Sequence, residues 1–83
     1  MMNNKMLDVH HLTLDAAIKV IEKNIETSYN NNVGILYVNH GFNKGNKIKT
    51  WCKNEAIKNR CVLRTDSGEN EGITNIYIKI NIK

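Results

Sequence analysis

Proline is absent from this 83-residue chain, cysteine occurs twice, and phenylalanine and tryptophan once each. With asparagine and isoleucine abundant, the missing proline reads as compositional bias and carries no functional signal. Two cysteines are too few for a disulfide framework. Cys52 falls on a helical apolar stripe and Cys61 at a strand start, so both are expected to be reduced packing residues, with a disulfide or metal pair as the lesser reading. No run approaches the ~18 consecutive apolar residues that a bilayer span needs. The opening Met1-Met2-Asn3-Asn4-Lys5 is polar and too short for a secretory signal, which points to a cytoplasmic protein. No internal repeat or linker breaks the chain. The expectation is one domain over residues 1–83, with residues 1–5 flexible. A domain of this size buries only ~60–65% of its unfolded surface, so one sheet and a pair of helices fill its core. Acidic residues number 8 against 12 lysines and arginines, a net charge of +4. That surplus alone is a weak pointer to a polyanion; its placement matters more.

Hydrophobic periodicity divides the chain into alternating elements. Met6 to Val9 reads as a first strand. Thr13 is the expected N-cap of a helix, with Asp15 in its first turn and Leu14, Ala17, Ile18, Ile21 and Ile25 on one face. The polar run Tyr29 to Asn32 ends it. Ile35-Leu36-Tyr37-Val38 is a continuous apolar run, as in a strand covered on both faces or central in a parallel sheet. A second helix is predicted from about Asn46 towards Arg60, with Ile48, Trp51, Cys52 and Ala56 inward. Glu55 inside that stripe and Ile57 outside it predict a distorted last turn. Val62 to Thr65 is a short third strand, and residues 66–72 form a turn region. Ile73 to Ile82 alternates with period two, Ile76, Ile78, Ile80 and Ile82 facing one way and Tyr77, Lys79 and Asn81 the other. The order β-α-β-α-β-β, with right-handed crossovers, gives an α/β two-layer sandwich: a mixed four-stranded sheet with both helices on one face.

The residues able to do chemistry gather where strands give way to helices. Strand alternation places Asp8 and His10 on one face, about 7 Å apart, with Leu7 and Val9 towards the core. A carboxylate beside an imidazole orients it, sets its tautomer and raises its basicity, or holds a divalent cation. His40 ends the second strand; if the first two strands are parallel neighbours, His10 and His40 share one sheet edge. Gly41 and Gly45 bracket a loop that leads into a helix N-terminus, and Lys44, Lys47 and Lys49 lie in or just after it, the parts of a phosphate cradle. The plainer readings are an Asp and a His bracing a loop, a common glycine connection, and a solvated lysine face. Tyr37 and Tyr77 are able to stack on bases if exposed, but packing is the better expectation for them and for Trp51.

Leu7-Asp8-Val9-His10, Leu12-Thr13 opening a helix, His40-Gly41 closing a strand, Gly45 before the next helix, and Gly72-Ile73-Thr74 before the last strand together resemble the Smr (small MutS-related) domain over nearly the whole chain. The resemblance implies a fold like the C-terminal domain of translation initiation factor three. It also implies nucleic-acid (DNA or RNA) binding and, in several members, endonuclease activity as DNA nicking or RNA cleavage. On that basis Asp8, His10 and His40 are the catalytic candidates. Gly41, Asn43, Lys44, Gly45, Lys47 and Lys49 are the phosphate-contacting ones. Mg²⁺ or Mn²⁺ is the implied cofactor of some members, with Asp8 the candidate metal ligand here. Two positions depart from the family pattern. His11 stands where the first motif has glycine, and Phe42-Asn43 displaces a glycine of the second, leaving Gly45.

Two other functions compete with a cleaving domain: a nucleic-acid-binding module without catalysis, and a protein-interaction module using the uncovered sheet face around Tyr77 and Lys79. The expected state is a monomer away from membranes, with a partner protein as one route to targeting.

Overall fold

A computed structural model describes residues 3–41, 46–68 and 70–81. The chain runs β1 (Asn3–Asp8), α1 (Leu14–Asn30), β2 (Val33–Asn39), α2 (Lys47–Asn54), a 3-10 turn at Ala56–Lys58, β3 (Val62–Ser67) and β4 (Ile73–Ile78). The strands form a four-stranded sheet in the order β1-β2-β4-β3. β1 and β2 are parallel, with Leu7 opposite Val38 and Asp8 opposite Asn39. Parallel neighbours need a crossover, and α1 supplies it. β4 lies antiparallel to both β2 and β3, so the sheet is mixed, as the order of elements predicts. α1 packs on β2 and β4, α2 on β4 and β3, and the helices touch each other. Both therefore cover one face, giving the two-layer sandwich expected.

The core is the meeting of period 3.6 with period 2. Ala17, Ile21 and Ile25 form the buried stripe of α1, and Leu36 and Val38 face them from β2, with Ile76 and Ile78 from β4. Cys52, Ala56, Cys61 and Val62 close the other end, and both cysteines are free thiols. Thr13 caps α1, its side-chain oxygen accepting from the Ala16 N–H at 3.3 Å. This satisfies one of the orphan donors of the first turn.

Several boundaries differ from the sequence expectation. β1 starts at Asn3, so residues 3–5, where a flexible lead is predicted, pair with β2. Backbone bonds to β2 supply what the polar side chains there do not signal. The strand ends at Asp8. α2 stops at Asn54 instead of running towards Arg60, and the chain tightens into the 3-10 turn that the misplaced Glu55 foreshadows. β4 ends at Ile78, and Ile80, assigned by alternation to the buried face, is 65% exposed. The ladder closes when the Lys79 N–H bonds the Cys61 carbonyl at 2.9 Å, and Ile80 lies past that last bond. Ile82 lies outside the described residues, as do Met1 and Met2. Trp51 is half-buried at the margin of the core, not within it. Among the described residues no helix is long and apolar enough to cross a membrane.

Candidate functional site

Parallel pairing of β1 and β2 brings their C-terminal ends together, and the candidate site is built there. Beyond Asp8 the chain leaves strand geometry. The Val9 N–H still bonds the Asn39 carbonyl at 2.9 Å, and the Val9 carbonyl takes the Leu12 N–H at 3.0 Å, forming a turn. Val9 is fully buried and anchors that turn to the core. The separation of about 7 Å that strand alternation predicts is thereby replaced by contact. The Asp8 Oδ1 meets the His10 Nδ1, and accepts the His10 backbone N–H at 3.2 Å.

These bonds from the His10 ring and then from its backbone hold the Asp8 carboxyl below its ordinary value, so it is an anion at neutral pH. A carboxylate only accepts, so the neutral tautomer of His10 that this contact selects carries its proton on Nδ1 and its lone pair on Nε2. Both side chains are about half exposed, at 54% for His10 and 50% for Asp8.

His40 has a different environment. Its residue is only 7% exposed. Its Nδ1 lies 3.2 Å from the Gly41 carbonyl, and its Nε2 2.8 Å from Thr74 Oγ1. The carbonyl accepts only, so Nδ1–H donates to it, and Nε2 accepts from the threonine hydroxyl. Burial, the larger effect, pushes the imidazole below its ordinary value, and the charge of Lys49 adds to this. His40 is thus a neutral ring with both nitrogens occupied. The Gly72 carbonyl accepts both the His40 N–H at 2.9 Å and the Gly41 N–H at 3.1 Å, fastening the end of β2 to the start of β4.

Gly41 has φ +75°, and a Cβ there would stand 3.1 Å from the His10 Cβ. The position therefore needs glycine both for its left-handed backbone and for the close approach of the β1 turn. His10 and His40 meet in one cavity of about 180 Å³, lined also by Leu12, Thr13, Leu14, Lys47 and Ile48. The shared edge expected from the strand ends is present. Lys47 reaches this cavity; Lys49 is half-buried outside its lining. Asn43, Lys44 and Gly45, together with Phe42, lie outside the described residues.

The start of α2 also bears on the site. Asn46 makes no side-chain cap bond, and the first turn holds no acid but carries Lys47 and Lys49. Cations at a helix N-terminus oppose the dipole, whereas an anion held there would interact favourably with both.

Two participants escaped the sequence reading. Thr74 is fully buried beneath His40, although the Gly72-Ile73-Thr74 motif had no role attached; its signal, a threonine in the buried register of an isoleucine-rich strand, is visible only once β4 pairs with β2. His11 joins Asp8 and His10, one ligand atom of each lying within 4.8 Å of the others. One carboxylate with two imidazoles does not fit Mg²⁺, which takes an octahedron of oxygens and keeps several waters.

No family model and no curated protein matches the sequence. Among solved structures, the chain is similar to the Smr domain of Thermus thermophilus MutS2. The TM-score is 0.83 at 15% sequence identity, covering 90% of this chain and 98% of that one. The chain thus has the fold of an Smr domain.

Proposed function

We propose that this domain binds nucleic acid and cleaves its phosphodiester backbone at the Asp8–His10 pair. The observation that carries the reading is the cavity at the parallel strand ends, which an imidazole oriented by a carboxylate lines together with Lys47, at a lysine-bearing helix N-terminus whose Asn46 makes no side-chain cap bond among the described residues. Its fold, that of the Smr domain of a MutS2 protein, supports the same reading. In this mechanism a phosphate sits against Lys47 and the first N–H groups of α2, which stabilise charge growing on the non-bridging oxygens. His10 Nε2 takes a proton from the attacking water, the new oxygen–phosphorus bond forms, the bond from phosphorus to the leaving oxygen breaks, and the proton is returned to that oxygen. Asp8 holds the ring and stabilises the imidazolium. His40, a catalytic candidate by its sequence, is buried with both nitrogens engaged, so it acts as a positioning residue that seats Gly41 against His10. The setting is the cytoplasm, where free thiols persist.

Labelled single-stranded RNA, supercoiled plasmid and branched DNA, each with wild type and a folded Asp8→Asn/His10→Gln variant, test the proposal. Cleavage by wild type alone supports it. Equal cleavage by both, or none, with affinity that falls steeply as salt rises, would reduce the function to binding. A protein-interaction module is the second reading. It rests on exposed Met6, Leu63 and Ile80 and on an apolar groove on the uncovered sheet face near Ile35 and Tyr77.

A further inference from the structure

We propose that Asp8, His10 and His11 form a binding site for a borderline divalent transition-metal ion such as Zn²⁺, Ni²⁺ or Co²⁺, and not for Mg²⁺. The proposal goes beyond the cleavage reading and does not rest on it: an ion held here competes with the base role proposed for His10, because both draw on the same side chains. Consecutive residues of a strand point to opposite faces, so Asp8, His10 and His11 would be split if β1 continued. It stops at Asp8, and the turn closed by the Val9 and Leu12 N–H bonds swings both imidazoles to one side. Their ring centroids stand 5.5 Å apart, nearly perpendicular at 74°. One donor atom from each of the three residues falls within 4.8 Å of the other two, a spread that a single ion can bridge.

The backbone under this cluster is held in several ways. Val9 is buried, the Asp8 carboxylate accepts the His10 N–H, and the His10 Cβ rests against Gly41. Little main-chain ordering is needed on loading. The donor set then decides the ion. Imidazole suits Zn²⁺, Ni²⁺, Co²⁺ and Cu²⁺, whereas Mg²⁺ requires oxygen ligands that one carboxylate does not supply. Three protein ligands on an exposed turn leave the remaining coordination positions to water, so the ion is exchangeable. His11 is the decisive ligand, since without it one imidazole and one carboxylate remain.

The experiment titrates the untagged full chain with Co²⁺, following visible absorbance, and with Ni²⁺, Zn²⁺ and Mg²⁺ by calorimetry. One saturable site is expected, tighter for Ni²⁺ than for Co²⁺, with no binding heat from Mg²⁺ over the same range. His11→Gly and Asp8→Asn should each weaken Ni²⁺ by at least ~10-fold, since even the loss of an outer-shell partner costs that much. Glu26→Gln, an exposed acid on α1, should not. All three ligands are exposed, so the variants should keep the wild-type circular dichroism; His11→Gln replaces His11→Gly if the latter does not fold. Histidine ring NMR signals give a second readout: Co²⁺ should displace those of His10 and His11 first. Unchanged Ni²⁺ affinity in the His11 variant, Mg²⁺ binding as tight as Ni²⁺, or no saturable site in wild type would overturn the proposal.

Discussion

Gly41→Ala tests the coupling between the two halves of the site, because one added methyl group meets two separate obstacles. The first is the backbone: φ is +75°, and the left-handed region costs a residue with a Cβ roughly 1–2 kcal/mol. Against this, alanine restricts the unfolded chain more than glycine does, an effect of about 0.4–1 kcal/mol in the variant's favour. The second obstacle is the His10 Cβ at 3.1 Å. His10 is half exposed and can yield by a few tenths of an ångström, so crowding adds roughly 1 kcal/mol, the low end for overpacking. The net expectation is about 1–2.6 kcal/mol of lost stability. For a domain of this size that lowers Tm by about 4–21 °C. Urea denaturation followed by circular dichroism measures it. Repeating the substitution in a His10→Gly background separates the obstacles. Removing the His10 Cβ should abolish the crowding part and leave the backbone part. A Gly41→Ala variant as stable as wild type would refute the left-handed geometry at the site, and an identical loss in both backgrounds would refute the contact with His10.

The remaining predictions concern the buried groups and the acid limb. Thr74→Val removes the hydroxyl that donates to His40 Nε2 and leaves a buried acceptor unpaired, costing about 1–3 kcal/mol in urea denaturation; a neutral substitution would contradict the pairing. Burial holds His40 below its ordinary value, so the unfolded chain takes up its proton first. Stability should be full above about pH 6.5 and decline as pH falls from there to the folded-state value, then level off. His40→Asn should flatten that window. Asp8, also held low, adds a separate decline that begins only below about pH 3.9. Burial pushes the Cys52 thiol up to about 12, so alkylation of the native protein at neutral pH should spare Cys52 and proceed at the rate of unfolding, as read by mass spectrometry; rapid modification of the folded chain would refute its burial.

Much of the architecture was legible because burial imposes a period. The stripe Ala17, Ile21, Ile25 belongs to a helix on one side of a sheet, and is found so. The run Ile35 to Val38 is central, but in a mixed sheet, with β4 antiparallel to it and only one face fully buried; the run alone predicts a parallel sheet or cover on both faces. Element ends were less legible, since they depend on what covers them. Ile80 continues the alternation of β4 but lies past the last ladder bond to Cys61 and stands in solvent. Asn3 to Lys5 lack an apolar signature, yet β2 gives them partners.

The candidate site divides along the same line. The sequence by itself determined the chemical types available: a carboxylate two residues from an imidazole, a histidine–glycine pair closing a strand, and lysines where a helix begins. These are local and survive any packing. Only the tertiary structure decided which of them act together. Parallel pairing of β1 with β2 carries His10 to the cavity of His40. The approach of β4, 34 residues along the chain, occupies the His40 ring with Thr74 and takes it out of solvent. The turn after Asp8 gathers His11 beside His10, where strand alternation would have parted them. The physical reason is that side-chain identity is written residue by residue, whereas burial, hydrogen-bond partners and free lone pairs are set by contacts between segments distant in sequence, which appear only when the sheet closes.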